Sequence, residues 1–490
     1  MTYHIAVDIG ASSGRLVLGT LLEGKLRLSE VHRFANGFAE RDGSCFWDID
    51  CLFQEILTGL QKVKAQGIES CTLGIDTWAV DYVLVDEHGE RVQDVYAYRD
   101  ARTDHAMEDV AKLISPEKIY AKTGIQQLSF NTLYQLFVHN REELSRAHSI
   151  LMVPDYLYYR LTGVKVNEAT NASTMQLLNV ADRDYDPELL ELLGIRREQF
   201  PGLAEPGTEL GMILPELMAQ YDLPECRVIL AATHDTASAV LGVPAEPGVR
   251  AAYISSGTWS LLGVELSHPL NSAEAMKASF TNEWGAYGTY RFLKNIMGLW
   301  LIQEVRRQDG ARYSFAELAE MAAECEPYRS LIPCNADRFL NPDNMLGEIR
   351  SACAEAGEPV PDTVGQVARC IFDSLSLSYR AYLQELETLT GEKTEKLQIV
   401  GGGANNVLLC QLTADAAGIE VSAGPIESTA IGNLAVQLIR AGVWRDISEA
   451  REVIRSSFDI IHYKPRPIPG LDRILERWSR LNCSAAGHMN

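Results

Sequence analysis

Each half of the sequence opens in the same way, and that repetition limits the possible folds more than any other feature. Residues 5–9 read as an apolar strand, Ala11-Ser12-Ser13-Gly14 as a tight turn, and residues 15–22 as a second strand. Far downstream, residues 251–254 lead through Ser255-Ser256-Gly257-Thr258 into residues 259–263: strand, small-residue turn, strand ending in Leu-Gly. A supersecondary plan that recurs after half a chain is read as internal duplication. With 490 residues, 46% of them hydrophobic, the chain is long enough for two or three domains with separate cores. Turn formers crowd Gly242-Val243-Pro244-Ala245-Glu246-Pro247-Gly248, which sets a boundary between a domain of residues 1–244 and one of residues 245–490.

The remaining periodicity fills in both halves. A third strand is predicted over 26–34, a helix over 48–64 with Asp48 or Asp50 as its cap, and strands over 71–76 and 80–85. In the second half, helices are predicted over 295–307 and 363–389, and a strand over 397–400 delivers Gly401-Gly402-Gly403 to a helix start. Strands first, then alternating helices and strands, make a mixed α/β sheet with helices packed on it.

Charge excludes some partners. A formal net charge of −22 disfavours a nucleic-acid backbone or an anionic membrane. No apolar stretch approaches the ~20 residues that span a bilayer. The first residues carry neither a basic stretch nor a cleavable apolar run, so a cytoplasmic protein is expected. Ten cysteines include no Cys-x-x-Cys pair, and Cys353 and Cys370 are read as free thiols.

Convergent backbone N–H groups hold phosphate without net positive charge, and small-residue turns allow that convergence. Ala11 to Arg15, Ser255 to Thr258 and Gly401 to Gly403 qualify, although each alone also reads as an ordinary turn. Gly14 is expected to supply the positive φ that such turns often need. There is no Walker lysine motif and no spaced-glycine dinucleotide fingerprint. Asp8 ends the first strand, where it suits either a turn cap or a carboxylate that positions Mg²⁺. In Thr233-His234-Asp235-Thr236, Asp235 near a helix start suits an N-cap, but polar residues on both sides suit a polar ligand.

Nearly the whole chain resembles the FGGY carbohydrate kinases. The resemblance rests on Ala11 to Arg15, Gly74-Ile75-Asp76-Thr77-Trp78, Tyr98-Arg99-Asp100, Phe130 to Leu136, His234 to Val240, Ser255 to Ser260, Lys294 to Trp300 and Gly401 to Gly403, in that order. Among the family's members, those that phosphorylate L-rhamnulose are most similar, with L-fuculose and xylulose as alternative substrates. The resemblance implies two ribonuclease-H-like domains, as in actin and hexokinase, around a central cleft. It implies ATP held by Ala11, Ser12, Ser13, Gly14, Arg15, Thr258, Gln303 and Gly403. The ketose would meet Ala79, His234, Asp235, Thr236 and Asn295, with Asp235 as the base, and Asp8 would position Mg²⁺ through water. Ala79 stands where such kinases can carry glycine.

Overall fold

The computed structural model describes residues 2–340 and 342–486. The chain divides into two compact units, one of Met1–Gly242, Glu265–Leu293 and Ser428–Ser457, the other of Val243–Val264, Lys294–Glu427 and Phe458–Asn490.

In the first unit a six-stranded sheet runs Glu209–Met212, Glu225–Ile229, Ser70–Thr77, Tyr3–Ile9, Ser13–Leu22 and Lys25–Ala35 in spatial order. Tyr3–Ile9 is antiparallel to Ser13–Leu22 and parallel to Ser70–Thr77, which in turn is parallel to Glu225–Ile229. Parallel neighbours need a crossover, and the helix Ile49–Ala65 lies within the first one. Its start is capped by Asp48, whose side chain accepts from the Cys51 N–H, while Asp50 falls in the first turn. Leu52, Phe53, Ile56, Leu57, Leu60 and Val63 recur at helical spacing and are buried in one core with Ile5, Val7, Leu73 and Ile75.

The Asp235–Leu241 helix packs at very short range against Ser428–Arg440. Glycines permit the approach. A Cβ on Gly432 would enter the Ser238 carbonyl, and one on Gly242 would enter the carbonyl of Ser428. Ser428 Oγ also donates to the Ala239 carbonyl at 2.6 Å.

The second unit repeats the opening of the first. Ala251–Ser256 is antiparallel to Trp259–Leu266 and parallel to Lys396–Val400, which is parallel to Glu420–Ala423. The helix Val364–Thr390, capped by Thr363 and ended by Gly391 at φ +72°, packs against the helices Phe315–Ala323 and Val407–Ala417.

Two expectations need correction. Residues 295–297 are not helical: Tyr290–Met297 is a strand, and the helix covers Trp300–Gln308. Phe292, Leu293, Ile296 and Met297 are buried, while Leu299 and Trp300 donate their N–H groups to the Gly257 and Thr258 carbonyls. Those bonds fix a turn at Gly298, where a side chain would strike Ser260. The strand expected over 80–85 begins only at Tyr82, because Val80 takes φ +67°. Cys353 and Cys370 are buried free thiols. Among the described residues, no helix is long and apolar enough to cross a membrane.

Gly432→Ala should lower stability by about 1–3 kcal/mol through overpacking. Gly37→Ala, at an open position with an ordinary φ, should stay within about 0.5 kcal/mol of the parent. Denaturant unfolding of the two variants checks this, and equal stabilities would remove the steric account of the helix contact.

Candidate active site

In the first unit, strand register decides which carboxylates meet. Asp8 pairs in register with Arg15 on one side and with Asp76 on the other. Arg15 donates to Asp8 Oδ2 from Nε at 3.1 Å and from Nη2 at 2.9 Å. Asp76 has no exposed surface; its Oδ2 accepts from Asn433 Nδ2 at 2.6 Å, and its Oδ1 has no hydrogen-bond partner. Burial, reinforced by the Asp8 charge, raises the Asp76 carboxyl well above the usual carboxylate range; Asn433 and Arg15 oppose that shift. Gln437 donates to Asn433 Oδ1 at 2.8 Å, and both amides lie where a side chain at residue 74 would stand. Gly74 is therefore glycine to admit them.

The segment carrying Asp235 is clamped from below. Glu168 is fully buried, and its Oε2 accepts from Thr170 Oγ1 at 2.6 Å, Thr233 Oγ1 at 2.7 Å, the Thr233 N–H at 2.9 Å and the Asn171 N–H at 3.2 Å. Its Oε1 accepts from the Thr170 N–H at 2.8 Å. Burial raises the Glu168 carboxyl, and these donors pull it back down. Thr77 N–H donates to the Thr233 carbonyl at 2.9 Å, joining the end of the Ser70–Thr77 strand to the same segment.

Beyond the clamp, His234 occupies the cap position of the helix and Asp235 its first turn; the His234 side chain makes no cap bond. The Asp235 side chain is 33% exposed, in contact range of His234 Nε2 at 3.4 Å and accepting from Thr236 Oγ1 at 3.2 Å. Behind His234 lie Glu283 and Arg291, register partners in the hairpin of Thr281–Trp284 with Tyr290–Met297. Burial pushes the Glu283 carboxyl up, but the Arg291 charge and the His234 ring beside it outweigh that and hold it below the usual range.

Ala79 sits on a short strained loop. Val80 O accepts from Thr132 Oγ1 at 2.6 Å. Asp81 accepts from Trp47 Nε1 at 2.6 Å, Trp78 Nε1 and Gln135 Nε2 at 2.9 Å each, and the Tyr98 N–H at 3.1 Å. Burial nevertheless pushes the Asp81 carboxyl up to about 6.

The turn Ala11 to Gly14 is closed by the Gly10 N–H donating to the Ser13 carbonyl at 2.9 Å, and Ala11 and Ser12 are exposed at its tip. Gly14 is not at positive φ; it lies in the Ser13–Leu22 strand, and the Phe34 ring occupies the space of a side chain. In the second unit, Thr258 Oγ1 donates to Gln303 Oε1 at 3.3 Å. Gly401, at φ +81°, would drive a side chain into the Ser256 carbonyl, and Gly403 one into Ser256 Oγ. Two of the small-residue turns are thus pressed together there. Asn295 is half-buried on its strand.

Sequence reasoning named Asp76 only within a motif and missed Glu168, Glu283, Arg291 and Asn433. Residues 167–174 form a polar run that resembles a surface loop, yet every one is buried. The only signal in the sequence was Gly74 inside an apolar strand, which marks a close approach.

The sequence pattern of the FGGY family of carbohydrate kinases matches over residues 3–242 for the N-terminal domain and 252–441 for the C-terminal domain. A rhamnulokinase of Bacillus subtilis (strain 168) is 53% identical over 467 residues, covering 95% of this chain and 96% of its own. One from Pectobacterium carotovorum is 45% identical, covering 94% and 93%. The fold is similar to that of a ligand-bound xylulose kinase from Lactobacillus acidophilus, with a TM-score of 0.81, 18% identity and coverage of 100% and 98%. Plasmodium falciparum glycerol kinase with ADP matches with a TM-score of 0.78 at 15% identity, covering 100% and 98%. These solved structures establish the two-domain sugar-kinase fold.

Glu168→Gln keeps the shape of the clamp but sets an amide N–H₂ against N–H or O–H donors in either orientation. It should cost about 1–3 kcal/mol at pH 8. Unchanged unfolding curves would mean that the Thr233 segment does not depend on this carboxylate.

Proposed function

The chain belongs to the FGGY family of carbohydrate kinases, and from that premise we propose that it transfers the γ-phosphoryl group of ATP to the 1-hydroxyl of L-rhamnulose. The products are ADP and L-rhamnulose 1-phosphate. The observation that carries this reading is Asp235: a part-exposed carboxylate at a helix start, on a segment clamped by a buried glutamate, with His234 and Thr236 beside it. The extended similarity to rhamnulokinases supports the choice of sugar.

Asp235 is the general base. It takes the proton of the 1-hydroxyl as that oxygen bonds to the γ-phosphorus and the bond to the ADP oxygen breaks. His234, Thr236, Ala79 and Asn295 hold the ketose. Ala11, Ser12, Ser13, Gly14 and Arg15 in the N-terminal domain, residues 1–244, take the phosphates. Thr258, Gln303 and Gly403 in the C-terminal domain, residues 245–490, take the nucleotide. The glycines against Ser256 support this, since they leave backbone bare of side chains; Gly402 has open space around it.

Asp8 fits a role toward Mg²⁺ held through water. Its neighbour Asp76 presents a buried oxygen without a partner, and carboxylate oxygen suits a hard cation. When bound, Mg²⁺ neutralises phosphate charge. We place the enzyme in the cytoplasm.

Asp235→Asn should fold normally and lose about 10²–10⁴-fold in kcat, since an amide can hold a hydroxyl but cannot take its proton. A coupled ADP assay checks it, and near-parental turnover would move the base elsewhere. In the same assay L-rhamnulose should show the highest kcat/KM in a panel with L-fuculose and xylulose; a preference for either competitor would overturn the choice of sugar. Gly14→Val should push the Phe34 ring and displace the phosphate turn, raising the KM for ATP more than that for ketose. A defect confined to ketose would contradict the role of this turn.

A further inference from the structure

His234 makes contacts from both ring nitrogens, and those on Nδ1 are set by a buried ion pair that takes no direct part in phosphoryl transfer. Arg291 is fully buried, and its guanidinium reaches Glu283 Oε2 from Nη1 at 2.9 Å, the Trp284 carbonyl from Nε at 3.3 Å and His234 Nδ1 from Nη2 at 3.1 Å. Glu283 Oε2 also lies 3.2 Å from His234 Nδ1, but it is not aligned for a hydrogen bond with any donor. A guanidinium carries donors only. The nitrogen facing it must therefore present a lone pair, because a proton on Nδ1 would oppose the Arg291 N–H directly.

We propose that Arg291 is a positioning residue that fixes the tautomer of His234: it donates to Nδ1 and leaves the ring proton on Nε2, facing Asp235 and the ketose. Glu283 balances the buried guanidinium charge, and the hairpin register that pairs residues 283 and 291 holds both in place. The consequence is a division of labour. With its proton on Nε2, His234 donates a hydrogen bond to a ketose oxygen and faces Asp235 with a positive dipole. Asp235 remains the acceptor for the hydroxyl proton. In the opposite tautomer, a lone pair on Nε2 would face the Asp235 carboxylate, and the pocket would offer two acceptors and no donor at that point. This rests on His234 as a ketose contact, whereas the tautomer itself is a property of the unliganded protein.

The test uses the full chain with ¹⁵N-labelled histidine, the His234 signals being assigned by their loss in His234→Gln. At pH 8 the ring should show protonated Nε2 and unprotonated Nδ1 without any ligand. Arg291→Met with Glu283→Met removes both charges at once, which avoids leaving one buried and unpaired. In that double variant the tautomer preference should be lost, and the KM for ketose should rise about 10–100-fold while that for ATP changes less than about twofold. Arg291→Lys, which keeps a donor, should retain the Nε2–H signature. A proton on Nδ1 in the parent protein overturns the proposal, whatever the variants do. So does an unchanged tautomer or unchanged ketose KM in the double variant. If the parent shows the Nε2–H signature but phosphorylates no ketose, the substrate reading fails and the tautomer assignment stands.

Discussion

A carboxylate with no exposed surface must find its hydrogen bonds inside the protein, and the first unit is arranged around several that do. Burying such a group unpaired is costly enough that the surroundings adapt to it. Asp76 takes the Asn433 amide, Glu168 gathers the Thr170 and Thr233 donors, Asp81 collects indole, amide and backbone N–H groups, and Glu283 faces Arg291. The first three join segments far apart in sequence, so the loops that carry Ala79 and Asp235 are fixed by polar contacts rather than by apolar packing alone. Asp235 differs: it keeps a third of its side chain accessible. In the proposed role of base, that contrast between enclosed carboxylates and an accessible one is what fits Asp235 for proton transfer.

Glycine makes this arrangement sterically possible. Asn433 can reach Asp76 only because residue 74 has no side chain. Its helix can approach the one that begins at Asp235 only because Gly432 and Gly242 leave the Ser238 and Ser428 carbonyls room. The Ser428–Arg440 helix thus serves two carboxylates, supporting Asp76 directly and the Asp235 helix by packing. None of these glycines is at positive φ, so their role is close approach rather than backbone freedom.

How far the sequence discloses such a structure depends on the range of the interactions involved. Strand alternation, the Asp48 cap and the repeated hairpin are local, and the strands and helix lie within about two residues of where the pattern puts them. The helix expected to begin at residue 295 fails because tertiary bonds override the pattern. Leu299 and Trp300 are pinned to the Gly257–Thr258 turn, and the preceding residues extend a strand. Gly14 was legible as a special position, but for the wrong reason: its neighbour across the sheet, Phe34, is visible only once strands pair. Asp235 with its polar flanks stood out locally. Glu168 and Arg291 did not, because nothing within a few residues of a buried charge announces its distant partner.

The two copies of the opening hairpin show how one backbone plan serves different chemistry. In the first, Asp8 stands one residue before the strand end, opposite Arg15, a charged pair beside a second carboxylate on the parallel strand. In the second, Ser255 lies opposite Leu261 and Ser256 opposite Ser260, and the parallel strand leads into glycines rather than carrying an acid near its end. Backbone topology is conserved between the copies: an antiparallel partner on one side, a parallel one on the other. What differs is the side chain that the strand end offers. The acids there are countered, Asp8 by Arg15 and Asp76 by the Asn433 amide, so they bring a supporting network with them. A serine needs no such support, and the glycines it faces can press their backbone close. The same fold therefore yields a charged, braced strand end in one unit and a bare, backbone-lined one in the other. Substituting a carboxylate into the second copy would need more than the one residue, because Ser256 faces Ser260 across the sheet where Asp8 faces an arginine.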